Sequence, residues 1–291
     1  PELQNTFAQG ENGSFDRTSQ LSWGPKATGQ METKWDGTQA PVITSHDNVD
    51  NFLRNGSTQN YNLAFQQQFG NTSLYSSLAR WDDRSIIPNN RLERTNLTTR
   101  AVTKFGKNNR WTTDMKMSYN NTKGINRPIN GRDVSNIFTL YTLPRSMDIR
   151  DFENTKDQFG NMVWYNGSPS WQNSPHWNSQ YNLNEDVRDR MILNGSVKYN
   201  FTEWLDLELK GGADMYTTNT NRKVYAGSKR NNEYSEGKQT FYETNYSALI
   251  SARKENVFGK FGGAITAGGN LMHQKNTYIG IGTGPLEVPD L

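Results

Sequence analysis

The 291-residue sequence contains no cysteine, so neither a disulfide framework nor a thiolate metal site is available to it. Histidine is scarce as well. His46, His176 and His273 lie far apart, at no spacing that zinc or non-haem iron ligands adopt, and they read as loop or strand-end residues. No apolar run approaches the roughly 18 to 20 residues of a membrane helix. That excludes helical spanning and leaves open a β-barrel, whose signal per segment is far weaker. Charge of one sign is also lacking: 32 basic and 29 acidic residues are interspersed, and no basic run supports nucleic-acid binding. No leader-like segment opens the chain, and Pro1-Glu2-Leu3 reads as the interior of a longer protein.

Catalytic constellations are missing too. Asp82-Asp83 and the carboxylates between 148 and 157 have neither the separation of a glycosidase pair nor the spacing of a calcium loop, and read as solvated turns. The Gly259-Lys260-Phe261-Gly262-Gly263 stretch lacks the Lys-Ser/Thr of a phosphate loop, and its glycines suit bending within a strand. No catalytic residue, metal or cofactor is expected.

Only 33% of residues are hydrophobic, yet 8 Trp, 13 Tyr and 13 Phe argue against disorder. A polar, aromatic chain rich in Asn, Thr, Ser and Gly suits β structure with long polar connections. Period-2 alternation marks nine candidate strands, at 14–23, 58–69, 72–82, 92–105, 110–121, 186–200, 204–216, 241–253 and 258–272. In the second, Tyr61, Leu63, Phe65 and Phe69 share one face against Asn62, Gln66 and Gln68; in the fifth, Trp111, Thr113, Met115, Met117 and Tyr119 stand against Thr112, Asp114, Lys116 and Ser118. The seventh sets Leu205, Leu207 and Leu209 against Asp206, Glu208 and Lys210.

Connections alternate between short (70–71, 106–109, 201–203, 254–257) and long (24–57, 83–91, 122–185, 217–240, and the tail from 273). Such alternation fits an outer-membrane barrel with short turns on one side and long loops on the other. The strands are also long enough to cross a bilayer, which takes about 9 to 11 tilted residues. Trp23, Phe69, Trp81, Phe105, Trp111, Tyr119, Trp204 and Tyr216 fall at strand ends, where barrels carry aromatic girdles. The fold class expected is all-β: an antiparallel transmembrane β-barrel portion with long extracellular loops.

Certain residues carry a family resemblance. "PELQNTFAQGENGSF", "LSWGPKATGQ", "KWDGTQAP" and "NVDNFLRNGSTQNYNLAFQQQFGNTSLYSSLARWDDRSIIPNN" resemble the early barrel of SusC/RagA-type TonB-dependent transporters. The family's G-I-I-P-N loop motif stands here as Ser85-Ile86-Ile87-Pro88-Asn89; Asn5 and Gly10 match its pattern, while Ala8 and Ser85 replace commoner glycines. "VSNIFTLYTLPRSMDIRD" and "QFGNMVWYN" resemble its short extracellular helix and Pro-containing turn. The likeness runs to about Asn166 and thereafter persists as strand-and-turn style.

The resemblance implies that residues 1–291 are part of a single-chain barrel of about 22 strands, the plug and remaining strands lying elsewhere. With Pro1 on the periplasmic side, nine crossings would end the chain in an extracellular loop. It further implies outer-membrane localisation, a SusD-like lipoprotein lid, TonB coupling through the plug, import of an oligosaccharide or oligopeptide, contact with membrane lipid, and pairing of two transporter–lipoprotein units. Within the long loop 122–185, Trp164, Tyr165, Trp171 and Trp177, with Arg145 nearby, have the chemistry to stack on sugars and bond their hydroxyls. They equally suit the internal packing that a loop of this length needs. A soluble or surface-attached glycan-binding module, or a passive porin-like barrel, are the competing readings.

Overall fold

The computed structural model describes residues 4–44, 47–129, 131, 135–166 and 172–287. Two small hairpins come first: β1 (Gly10–Glu11) with β2 (Ser14–Phe15), then β3 (Met31–Thr33) with β4 (Gln39–Pro41). A short helix, α1 (Asn48–Phe52), leads into the first two long strands, β5 (Ser57–Phe69) and β6 (Thr72–Arg84). Next come β7 (Arg91–Phe105) and β8 (Trp111–Ile125). The connection after β8 carries α2 (Asn136–Thr142) and α3 (Pro175–Gln180). The chain closes with β9 (Asn184–Asn200), β10 (Leu205–Val224), β11 (Glu233–Phe258) and β12 (Phe261–Gly282). From β5 to β12 the strands form one eight-stranded antiparallel sheet in sequence order. β5 and β12 are its two edges, so it is a segment of barrel wall and not a closed ring.

Eight strands stand where nine were expected. The stretch 14–23 contributes only the two residues of β2, because Asp16 diverts the chain: its Oδ1 accepts from the Thr18 N–H and the Thr18 hydroxyl, both at 2.8 Å. Such an Asx turn competes with a ladder for the same backbone groups. Trp23 therefore belongs to no strand. With eight crossings, residues 4–56 lie at the long-loop end of the sheet, not at the short-turn end. The last strands also run further than alternation suggests, β10 to Val224, β11 from Glu233 and β12 to Gly282. The β10 extension, Thr217–Val224, is rich in Thr, Asn, Lys and Arg and that of β11 is mostly polar, so there the ladder continues where apolar alternation stops.

Register shows why alternation marks only part of each strand. Leu63, Leu78, Leu97, Tyr119, Met191, Met215 and Tyr242 stand opposite one another in a single row across seven strands. The adjacent row on the other face reads Asn62, Ala79, Asn96, Asn120, Arg190, Tyr216 and Phe241. Among the described residues no element packs over the apolar face: Leu63 is 75% exposed and Met115 60%. A contiguous apolar surface of this kind needs an apolar neighbour. From Leu97 to Phe105 the apolar band spans eight residues, or ~27 Å along the strand, and roughly 20 Å once a barrel tilt is allowed for.

At the short-turn end this face finishes in aromatics. The Phe105 and Trp111 rings stack at 6.1 Å, Trp111 meets Tyr199 at 4.5 Å, and Tyr199 meets Phe201 at 4.9 Å. Phe69 and Trp204 are exposed at the same end of the sheet. Trp81 and Tyr216, expected in the girdle, have the opposite parity and sit on the polar face.

The packed core lies on neither face of the sheet. It forms a lobe at the long-loop end, where Phe52 of α1 and Leu140 of α2 pack with Leu143, Met147, Ile149, Phe152, Trp164 and Tyr165. Asn48 ties the N-terminal segment to this lobe. Its buried amide donates to the Met147 carbonyl at 2.9 Å, and its Oδ1 accepts from the Ile149 N–H at 2.9 Å. Asn48→Ala leaves two buried backbone groups without partners, at about 1 to 3 kcal/mol each. Amide exchange at Ile149 is accordingly expected to accelerate by one to two orders of magnitude or more.

Candidate binding surfaces

The long connection 126–183 folds on itself. The Ser135 hydroxyl caps α2 by accepting from the Phe138 N–H at 3.2 Å, and Pro175 opens α3 at a position that has no helical N–H bond to lose. Between the helices, Phe152 is enclosed by Trp35 at 4.9 Å, Trp164 at 4.6 Å and Tyr165 at 6.3 Å. Burial raises the Tyr165 phenol well above its ordinary range and lowers the His176 imidazole below 6.5; His176 meets the Phe52 ring edge-on at 5.1 Å.

The aromatic residues singled out for substrate stacking are placed in this interior. Trp164 is 7% exposed, Tyr165 4% and Trp177 fully buried. The Trp177 indole donates to the Ser228 hydroxyl at 2.8 Å and its ring packs on Tyr181 at 4.6 Å. Lys156 lies over the Tyr181 and Tyr225 rings, 4.2 and 4.1 Å from their centroids. These rings fasten the connection to the segment between β10 and β11, and they offer no free face to a sugar. Their physical role is packing, since a long connection without apolar filling could not hold one shape. Arg145 is half-buried and donates to Asn5 Oδ1 at 2.8 Å, which also makes it an internal tie. Trp171 and His46 lie outside the described residues.

The carboxylates of the turns are likewise engaged. Asp82 pairs with Arg91, Asp148 with Arg150 at 2.6 Å and Asp151 with Lys34 at 2.6 Å, while the Thr58 hydroxyl bonds Asp83 at 2.5 Å. Asp157 closes the turn at Phe159, and the N–H groups it accepts from hold its carboxyl below the usual carboxylate range. Among the described residues no three metal-ligating side chains converge.

Geometry draws attention instead to the polar face of β7, β8 and β9. Here a concavity of about 630 Å³ opens beneath the lobe, lined by Arg94, Asn96, Asn120, Thr122, Arg127, Asp186, Arg188 and Arg190. Two arginines are matched by acids: Arg127 pairs with Asp186, with Nη2 donating at 3.0 Å, and Arg190 with Asp214, with Nε donating at 2.8 Å. Gly124 makes room for the first pair, because a Cβ there would fall into it. Arg188 donates to the Thr218 hydroxyl at 2.8 Å and lies 4.7 Å over the Tyr216 ring, neither of which carries charge. Arg94 is exposed, and among the described residues no carboxylate pairs with it. Sequence reading passed over these arginines. Their signal, "RLERTN" and "EDVRDR" on the polar parity of two strands, becomes a cluster only once register sets the strands side by side.

A two-faced antiparallel sheet with a packed lobe at one end is the wall of a β-barrel with its long loops. Among the described residues no helix is long and apolar enough to cross a membrane. No family model and no curated protein matches the chain. Solved structures do. The chain is similar to a structure of the RagAB peptide transporter, with a TM-score of 0.68 and 15% identity over 84% of this chain and 28% of that one. It is also similar to the RagAB peptide importer in its closed-closed state, with a TM-score of 0.66, 14% identity, and 84% and 27% coverage. For the open-open state the TM-score is 0.63 and the identity 15%, with 80% and 26% coverage. At this identity the likeness is one of fold, and the chain spans about a quarter of those chains' length. These neighbours are transporters, not enzymes.

Proposed function

We propose that the chain is barrel wall and extracellular loops of a SusC/RagA-type TonB-dependent transporter in a bacterial outer membrane. It imports an oligomeric nutrient, captured with a SusD-like lipoprotein that closes over the lobe. The plug and the segment that contacts TonB would belong to the rest of the barrel protein. The single observation that carries this reading is the eight-stranded sheet whose apolar face no other described residue covers and whose polar face lines a concavity. Between peptide and glycan, the burial of Trp164, Tyr165 and Trp177 takes three of the four candidate stacking rings out of reach of a sugar, which favours an oligopeptide. The name of the structural neighbours points the same way.

A test uses the full-length protein in its native membrane. Uptake of a labelled oligopeptide is expected to stop when the TonB-contacting segment is deleted, while a heat-modifiable barrel remains in the outer membrane. Uptake that continues after the deletion would establish a passive pore. Recovery of the full-length product in the soluble fraction would establish a glycan-binding module or another soluble protein.

A further inference from the structure

The polar wall described above carries a charge pattern that the reading as an importer does not require. Arg94 and Arg188 lie in one row across the sheet, Arg94 opposite Thr122 and Thr122 opposite Arg188. Two strand spacings separate them, roughly 10 Å. Trp81 stands next to Arg94 in the same row and is exposed. On this patch Asp186 and Asp214 are ion-paired with Arg127 and Arg190, while Asp83, two residues along β6 from Trp81, keeps its charge and accepts from the Thr58 hydroxyl. The concavity therefore presents two guanidinium groups with which no carboxylate among the described residues forms an ion pair, on the face turned away from lipid.

We propose that this patch is a subsite for acidic side chains of an extended peptide, with Arg94 and Arg188 each taking one carboxylate. The proposal rests on the importer reading and adds a substrate class to it. A guanidinium fork matches a carboxylate in two parallel hydrogen bonds, which a neutral amide cannot reproduce. In an extended peptide, side chains two residues apart share a face and are ~7 Å apart. The flexible arms of two arginines 10 Å apart at the backbone span that distance. Trp81 would meet an apolar side chain of the same peptide, and the lining amides of Asn96 and Asn120 suit its backbone.

The experiment uses the full-length transporter with its lipoprotein. It compares binding of a decapeptide carrying Glu at alternate positions with binding of its Gln counterpart. Wild type is expected to prefer the Glu peptide, and added salt to erode that preference. In R94Q/R188Q, affinity for the Glu peptide is expected to fall about tenfold or more, with the Gln peptide unchanged. Thr122→Glu, which places a carboxylate between the two arginines without removing either, is expected to give the same selective loss and guards against a folding artefact. Equal binding of both peptides by wild type, or equal losses of both in the variants, would overturn the subsite and leave the importer standing. A change in heat-modifiability alone, with binding intact, would give the patch to the protein's own chain and also overturn it. Wild type that binds neither peptide, or binds only an acidic oligosaccharide, would sink the peptide-import reading together with the subsite.

Discussion

Met115→Arg is expected to destabilise the assembled barrel by about 2 to 4 kcal/mol, because it places a guanidinium near the middle of the lipid band. Met115 lies in the row of Leu74, Ala101, Gly195, Gly211, Tyr246 and Leu271, between the Leu97 row and the aromatic end at Phe105 and Trp111. Among the described residues no carboxylate stands in that row to offer the guanidinium a counter-charge. The matched control is Ser118→Arg, three residues along β8 on the polar face, where the side chain reaches water and the cost is expected to stay within about 0.5 kcal/mol. Urea unfolding of the full-length barrel from lipid vesicles reads both. Equal costs at the two positions would mean that both faces see the same surroundings.

Phe152→Ala acts on the other half of the structure. Removing a fully buried ring that touches Trp35, Trp164 and Tyr165 is expected to cost about 3 to 5 kcal/mol. A lobe of short helices has little else to hold it. Trypsin is therefore expected to cut the variant within residues 126–183 while the eight strands stay protected. Acidification pushes in the same direction through His176. Burial lowers its pKa in the folded lobe, so the unfolded lobe takes up a proton first and the lobe loses stability as pH falls below about 6.5. The variant's cutting rate should rise across that window, and more steeply than that of the same variant carrying His176→Gln.

The sheet was legible in the sequence because lipid and lumen impose opposite chemistry on alternate residues. The hairpin from Asn60 to Trp81 shows this best: Tyr61, Leu63 and Phe65 alternate with Asn62 and Gln66, and Gly70, at φ +56°, supplies the turn. Where the strands leave the lipid band the signal fades, which is why alternation marks only part of β10 and β11 and shows no strand from Thr217 to Val224. The false strand at 14–23 alternates by coincidence, and one Asx turn at Asp16 removes it. In the long connection, aromatic content marked a place that matters without saying inward or outward. Trp164 and Trp177 proved to be filling, because a connection without strand or long-helix periodicity gives no face to read. The arginine patch was invisible for a different reason. Arg94 and Arg188 are 94 residues apart in sequence, and only the register through Thr122 makes them neighbours.

The central claim is that one face of the sheet meets lipid and the other a water-filled lumen. The absence of cysteine from these residues lets it be tested position by position. Single cysteines at 61 to 66 and 113 to 118 of the full-length protein, with any cysteine outside these 291 residues replaced by serine, spin-labelled and held in bilayers, can be probed with oxygen and with an aqueous nickel chelate. Labels at 61, 63, 65, 113, 115 and 117 are expected to collide mainly with oxygen, and labels at 62, 64, 66, 114, 116 and 118 mainly with the chelate. Uniform access to the chelate along both stretches would contradict the account.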